Sequence, residues 1–422
     1  MTDAPDRAFA LTAAQERLLV EVRSLAREVL APLARAGPPG RVNRALVAAL
    51  GEHGLLARLL PPGPGAPGTQ PRHAQPAGPS SGAPGAQPPD ALPAGPSSAM
   101  ELCLLREALA CESTGAETAL ALQGLGGHPI AVAGREPLRR RWLPAVAAGQ
   151  AVAAFALSEP DAGSDAAALA LRAEPDGDGF RLSGTKTWIS NAPDADVYTL
   201  FARTTPDARA RGITAFAVPG DAPGLGGEPL ELLGDHPVGR LELDGVPVAA
   251  EQVLGQVDQG FGLAMRTLDR FRPSVGAFAV GMAQAALEAA VDHAAERRAF
   301  GRPLREFQAV AHALADMATR TQAARLLVYA AAGRHDADPE GPGVTRAAAM
   351  AKLYATEAAQ AVVDQAVQVL GARALERGHL LEHLYREVRA PRIYEGTSEI
   401  QRTVIARELF AGREGPGGTA LP

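Results

Sequence analysis

The sequence predicts an α+β protein in three parts: an N-terminal helical domain, a central antiparallel β-domain and a C-terminal helical bundle. Three observations carry this expectation. Apolar residues at helical spacing dominate residues 12–60 and 99–149. Short β-branched and aromatic runs bounded by turn residues replace them between about 151 and 258, and long alanine-rich helical stripes return beyond Gly260. The chain has 422 residues, 46% of them hydrophobic and 21% charged, which is ample for a large buried core.

In chain order, Thr12 precedes AAQERLLVEVRSLAREVLAPLA, where Leu18, Val22, Leu25, Val29 and Leu33 form one apolar stripe. Glu16 stands four residues after Thr12, which predicts an N-cap with an acidic first turn rather than a strict capping box. Residues 61–98 hold 12 Pro, 7 Gly and 7 Ala. Such a tract cannot bury enough area to offset chain ordering, so it reads as a disordered surface insertion within a helical domain spanning 1–150. Residues 99–125 and 135–149 read as helices, with Gly124, Gly126 and Gly127 breaking between them. The central domain, 151–258, contains Phe180 and Leu182 alternating around Arg181, then KTWIS, VYTLFA at 197–202, ITAFAV at 213–218, and LELDGVPV. No long helical stripe intervenes, which favours antiparallel pairing over βαβ units. Residues 259–410 form the bundle, with a last helix starting near Gly396, and 411–422 read as a flexible tail.

Composition excludes several classes. The net charge is -6 and no basic stripe stands out, so no nucleic-acid partner is expected. Cys103 and Cys111 supply neither a disulfide framework nor a zinc pair and read as small core residues. The acidic N-terminus lacks a signal-peptide core, and no apolar run reaches the ~18 residues of a membrane span, making the cytoplasm the default location. SGTKT around Lys186 lacks the glycines of a P-loop, no strand–GxGxxG–helix unit occurs, and Ser164 lacks nucleophile-elbow spacing. His379, Glu382 and His383 match H-x-x-E-H formally, but no third ligand is indicated, so no metal is expected.

Two regions carry chemistry. FALSEPDAGSDAAA, residues 155–168, is a polar turn segment whose backbone donors beside Ser158, Ser164 and Asp165 suit an oxygen-rich ligand, or equally a well-capped loop. Trp188 in KTWISN suits either the core or a planar cofactor. Glu395 lies between Tyr394 and Gly396 ahead of the last helix. Local desolvation there would raise its pKa and suit a general base, while a first-turn carboxylate offsetting the helix dipole is the plainer role.

These segments together resemble the acyl-CoA dehydrogenase family from about residue 100 to 410. ALSEPDAGSDAAA is similar to its first signature, TKTWISN to its flavin-contacting strand, ERRAFGRPLREFQ at 296–308 to the segment reaching a neighbouring subunit's cofactor, and IYEGTSEIQR at 393–402 to its catalytic signature. The resemblance implies an FAD enzyme, a homotetramer built as a dimer of dimers, acting in lipid metabolism on an acyl-CoA and passing electrons to an electron-transfer flavoprotein. It implies that Leu157 and Ser158 meet the flavin pyrimidine edge, that Trp188 and Ser190 flank the isoalloxazine, and that Ser164 helps place the cofactor phosphate and thioester. Arg297, Phe300, Gln308, Gln368 and Gly371 are implied to hold the adenosine–pyrophosphate half across a subunit contact, with Thr397 and Glu399 near the final helix. Glu395 is the implied α-proton base, and Arg272 and Gly396 the implied substrate contacts.

Some positions depart from the family pattern. Phe271 stands where some members carry the base on an earlier helix, which leaves Glu395. The usual QxxGGxG becomes Gln368-Val-Leu-Gly371-Ala372-Arg-Ala374, adding two methyl groups where glycine permits close approach, and so predicts a slightly remodelled pyrophosphate site. An oxygen-using acyl-CoA oxidase-like enzyme and a catalytically weakened flavin- or thioester-binding scaffold are the alternatives.

Overall fold

Helix formation starts at Thr12 in the computed structural model, which describes residues 11–60 and 98–411. The disorder expected over 61–98 and the flexible tail expected over 411–422 lie outside the described residues, apart from Ser98, which caps a helix, and Ala411. Helix α1 (Ala13–Leu25) opens with a complete capping box, contrary to the sequence expectation. Thr12 Oγ1 accepts from Gln15 N at 3.3 Å, and Gln15 Oε1 accepts from Thr12 N at 2.9 Å. Gln15 occupies the third helical position and closes the box, one residue before Glu16. The helix continues through a π turn (Ala26–Leu30) into α2 (Ala31–Ala36), and α3 (Arg44–Glu52) follows, capped by Asn43.

After the insertion, the Ser98 hydroxyl accepts from Glu101 N at 3.0 Å to start α4 (Ala99–Glu112), and the Asp336 carboxylate takes the N–H groups of Ala99 and Met100. Ser113 then caps α5 (Thr114–Ala133), which runs unbroken through Gly124, Gly126 and Gly127. The predicted break there is therefore wrong, and the glycines serve close packing. A Cβ on Gly126 would lie 2.6 Å from Ala154 N, so only glycine lets this helix touch the first strand. Helix α6 (Glu136–Ala147) leads to the sheet.

The strands are β1 (Ala153–Ala156), β2 (Arg172–Asp176), β3 (Gly179–Ser190), β4 (Val197–Arg203), β5 (Ile213–Pro219), β6 (Leu225–Pro229), β7 (Val238–Val248) and β8 (Val253–Leu254). Their order is β6-β7-β3-β2-β4-β5-β8, with β1 paired to β4. Most pairs are antiparallel, as predicted. However, β1 and β4 pair in parallel over four residue pairs, and β2 meets β4 in parallel at Arg172–Arg203, so the sheet is mixed. The connection carrying β2 and β3 returns the chain in the direction of β1, a crossover that strand-like runs alone do not reveal. Strands β4 and β5 are buried along nearly their whole length.

Helix α7 (Gly260–Glu296) packs against α4, α8 (Gln308–Ala337) and α9 (Val344–Leu370). A short hairpin, β9 (Arg298–Ala299) with β10 (Arg302–Pro303), joins α7 to α8; α10 (Leu380–Glu387) and α11 (Ser398–Phe410) complete the bundle. At Gly281 a Cβ would sit 2.5 Å from Glu107 O, marking a near-contact of α7 with α4. Glu107 also accepts from Arg325 Nε at 2.7 Å and Tyr329 OH at 2.8 Å, which ties α4 to α8. Helix α7 is, by length and composition alone, long and apolar enough to cross a membrane, but 72% of its most apolar window is buried inside the protein, as a core helix requires. Cys103 and Cys111 are buried in this core, and burial pushes the Cys111 thiol up to about 12.

Candidate active site

The first half of the site forms where β1 ends. Lys186, wholly enclosed on β3, donates to Leu157 O at 2.9 Å and to Glu159 Oε1 at 2.8 Å. The Glu159 carboxylate also accepts the N–H groups of Ala170 (2.5 Å) and Leu171 (3.0 Å), and Thr187 N donates to Ser158 O at 3.1 Å. Residues 157–159 are thus fastened along the edge of β3. Burial pushes the Lys186 ammonium down to about 8, against the pull of Glu159. Beside this contact β3 bulges: its register against β7 shifts between Lys186 and Ile189, and Trp188 adopts φ +54°. The bulge turns the indole outward, leaving Trp188 53% exposed while Thr187 and Ile189 are buried. Ser190 ends the strand, half-buried. The structure therefore brings Leu157, Ser158 and Trp188 together, whereas Ser164 lies exposed farther along the loop, next to Asp165, which pairs with Arg209.

The second half is the turn before α11. Glu395 and Gly396 are consecutive left-handed residues, with φ of +52° and +92°. A non-glycine residue in that conformation costs of order 1–3 kcal/mol and persists where its surroundings over-determine it. Here Arg272 Nε (3.2 Å) and Gln401 Nε2 (3.1 Å) donate to Glu395 O, while Lys352 Nζ (2.7 Å) and Gln401 Nε2 (3.0 Å) donate to Gly396 O. Thr397 caps α11 by accepting from Ile400 N at 3.3 Å. Glu395 Oε2 is buried with no hydrogen-bond partner among the described residues. Burial raises the Glu395 carboxyl above the usual carboxylate range, with Arg106, Arg272 and Lys352 opposing the rise. The Tyr394 phenol is pushed well above its ordinary range by burial as well.

Polar pairs on neighbouring elements complete the surroundings of the two halves. Asn191, next to Ser190, donates from its backbone to Pro237 O at 2.7 Å. The neighbouring His236 lies 2.6 Å from Glu387 on α10, and its proton is favoured by Glu387 and Glu117 despite burial. Glu117 in turn forms a buried ion pair with Arg106, whose Nη1 donates to Ser274 Oγ at 2.7 Å. Glu159, Lys186, Lys352, Gln401, Arg106 and Glu117 were all missed as site residues from the sequence. Glu159, Lys186 and Gln401 stood inside the quoted segments. For Arg106, Glu117 and Lys352, a charge at an otherwise apolar helical position was the available signal.

The remaining expected contacts gather at the far end of the bundle. Arg297, Phe300 and Gln308 are exposed on the α7–hairpin–α8 connection, Phe300 by 95%, and Gln368 and Gly371 are exposed at the end of α9. These segments are neighbours, since Arg297, Arg373 and His379 all bear on His293 and, with burial, lower its pKa. Ala374 is fully buried, so its methyl faces the core. Ala372 is exposed. Glu399 is exposed in the first turn of α11. His379 caps α10 and His383 Nε2 lies 2.6 Å from Thr114 Oγ1, and no cluster of metal ligands occurs among the described residues.

Comparison with known proteins decides the family. The profile of the acyl-CoA dehydrogenase middle domain matches residues 154–246 and that of the C-terminal domain residues 258–410. The chain belongs to the acyl-CoA dehydrogenase family. It is 38% identical over 312 residues to the cyclohexane-1-carbonyl-CoA dehydrogenase of Geobacter metallireducens, covering 73% of this chain and 81% of that one. Butyryl-CoA dehydrogenase from Megasphaera elsdenii superposes with a TM-score of 0.82 at 31% identity, covering 95% of this chain and 99% of the other. The structure of PigA with FAD and proline gives 0.82 at 26% identity, covering 95% and 98%. This acyl-CoA dehydrogenase family member is an FAD-dependent oxidoreductase of CH–CH groups, acting on acyl-CoA. Its residues fit the cofactor: the exposed Trp188 indole beside the fastened 157–159 backbone offers a planar face with a polar edge.

Proposed function

We propose that the chain dehydrogenates an acyl-CoA thioester to the trans-2-enoyl-CoA, with Glu395 as the base that takes the α-proton. The observation that carries this is the buried, unpartnered Oε2 of Glu395, on a carboxyl whose pKa burial raises. A carboxylate without protein donors has its lone pairs free for a substrate proton, and its raised pKa brings its basicity closer to neutral pH. Bound FAD supplies the acceptor for the β-hydride. Leu157, Ser158, Trp188 and Ser190 orient the flavin ring system, and Ser164 contributes to the phosphate and thioester region. In this reading Arg272 and Gly396 support the thioester side, and the backbone N–H of Glu395 donates to the thioester oxygen as charge develops there, where a prearranged donor is worth several kcal/mol. Arg297, Phe300, Gln308, Gln368, Gly371, Thr397 and Glu399 serve the adenosine–pyrophosphate half. The exposed Phe300 favours a homotetramer in which that half crosses a subunit contact, and the buried free cysteines favour a reducing, cytoplasmic setting in lipid metabolism. The electron acceptor in this reading is an electron-transfer flavoprotein.

The test is rapid anaerobic flavin reduction by wild type and Glu395→Gln at matched FAD content and saturating thioester. Butyryl-CoA and cyclohexane-1-carbonyl-CoA, the substrates named for two relatives, are the first probes, followed by longer and branched acyl groups. Loss of the base is expected to slow reduction ~10²- to 10⁴-fold. Near-equal rates would remove Glu395 as the base. Fast reoxidation of the reduced flavin by oxygen would indicate an oxidase, and the absence of reduction by every thioester a scaffold.

A further inference from the structure

We infer that Lys352 is a positioning residue for Glu395: its enclosed ammonium tethers the Gly396 carbonyl, and its charge favours the ionised Glu395 carboxylate. The inference rests on the reading of Glu395 as the base. Lys352 lies on α9, is fully buried, and donates to Gly396 O at 2.7 Å. Gln401 already supplies a neutral donor to the same oxygen, at 3.0 Å. A buried cation is expensive where a neutral donor would serve, so the charge itself has a use.

The balance of charge around Glu395 shows what that use is. Three cations bear on the carboxyl, from three elements: Arg106 on α4, Arg272 on α7 and Lys352 on α9, with Glu117 on α5 opposing them. Arg106 is paired with Glu117, and Arg272 donates to Asp269 Oδ1 at 2.8 Å. Each arginine therefore carries its own counter-charge. Lys352 has no direct ion pair among the described residues; the charged groups facing it are Glu395 and Glu399 around the turn and α11, Arg272 on α7, and Glu357 on its own helix. Glu357 is engaged by Arg392 and Ser398. Glu395 is the largest influence favouring the lysine's proton, although burial pushes that ammonium down to about 8. The two groups thus share one uncompensated positive charge across a turn that the lysine also holds in place.

Two variants separate tether from charge, Lys352→Met removing both and Lys352→Gln keeping a neutral donor. Three quantities are read: FAD content, the pH profile of anaerobic flavin reduction, and the infrared carboxylate band of Glu395 in ¹³C-glutamate-labelled protein, assigned by difference from E395Q. In K352M we expect reduction at neutral pH to fall ~10- to 10²-fold, the scale of a base displaced by about 1 Å, with KM changed less than about threefold. In both variants the carboxylate band should titrate at higher pH than in wild type, and K352Q should regain only part of the rate, because it keeps the tether without the charge. In wild type, reduction should decline as pH rises through about 8 at constant FAD content, where the lysine loses its proton. That arm needs no variant to fold. An unmoved carboxylate midpoint in both variants, or a wild-type rate flat from pH 7 to about 10, would overturn the inference. Loss of stability alone would assign Lys352 a structural role only. If E395Q reduces flavin at the wild-type rate, it is the base assignment that fails; if E395Q is slow and K352M is not, only the role of Lys352 fails.

Discussion

Replacing Lys186 by Met tests how the cofactor-side backbone is held. The side chain is fully buried, and its ammonium serves Leu157 O and Glu159 Oε1. Methionine fills a similar volume, so the perturbation is mainly electrostatic. It leaves Glu159, itself only 5% exposed, as a buried carboxylate supported by two backbone N–H groups, and leaves Leu157 O short of a donor. Breaking one side of a buried ion pair costs about 3–5 kcal/mol. Removing both charges in Lys186→Met/Glu159→Gln should cost less than K186M alone, because the orphaned charge is gone. The assay is urea unfolding with FAD at fixed excess, together with FAD titration of each variant. Bound FAD contributes to stability through its own affinity, and the titration isolates that contribution. We expect K186M to lower stability by several kcal/mol and also to weaken FAD binding, since the 157–159 backbone is released at the edge of β3. A cost below about 1 kcal/mol, or a double variant less stable than K186M, would refute the idea that the pair acts as one unit fastening this loop.

Two further predictions concern packing and pH. Gly126→Ala should lower the thermal midpoint, because its methyl would sit 2.6 Å from Ala154 N and overpacking costs about 1–3 kcal/mol; Gly333→Ala, on the exposed face of α8 with its nearest neighbour at 4.0 Å, should raise stability by up to ~1 kcal/mol. Burial, then Arg270 and His335, pushes the His128 imidazole down to about 3, so the unfolded chain binds the extra proton first and stability falls as pH drops below ~6.5. The slope is at most about 1.4 kcal/mol per pH unit, or ~2 kcal/mol by pH 5, and a His128→Leu variant compared with wild type in urea unfolding at pH 7 and 5 should lack that contribution.

The order of helices and strands was legible because periodicity records which face of an element is buried. The stripe through Leu18 and Val22 and the runs at β4 and β5 fall where the structure has those elements. What periodicity does not record is the partner. Gly124, Gly126 and Gly127 have the composition of a break, yet in α5 they are the surface that lets helix and sheet approach, and only the position of β1 distinguishes the two. The parallel pairing of β1 with β4 was hidden for the same reason, since a strand's own residues do not state the direction of its neighbour.

The site divides along a similar line. Glu395, Gly396, Trp188 and Ser158 lie in short contiguous segments, so a local motif was enough to single them out. The groups that set their geometry come from elsewhere in the chain. Arg106 and Glu117 sit on different helices separated by Ser113, Lys352 is one charge in an alanine-rich helix, and Asp269 and Arg272 belong to a fourth. Each looks on its own like an ordinary solvated charge, and only folding reveals that its neighbours have removed the water. That removal explains the electrostatics of the base. With the charge of Arg106 balanced by Glu117 and that of Arg272 by Asp269, burial outweighs the remaining attraction and the Glu395 carboxyl is raised rather than lowered. Three nearby cations would otherwise suggest a stronger acid, and therefore a weaker base, so the paired carboxylates of Glu117 and Asp269 belong to the design of the site as much as the cations do.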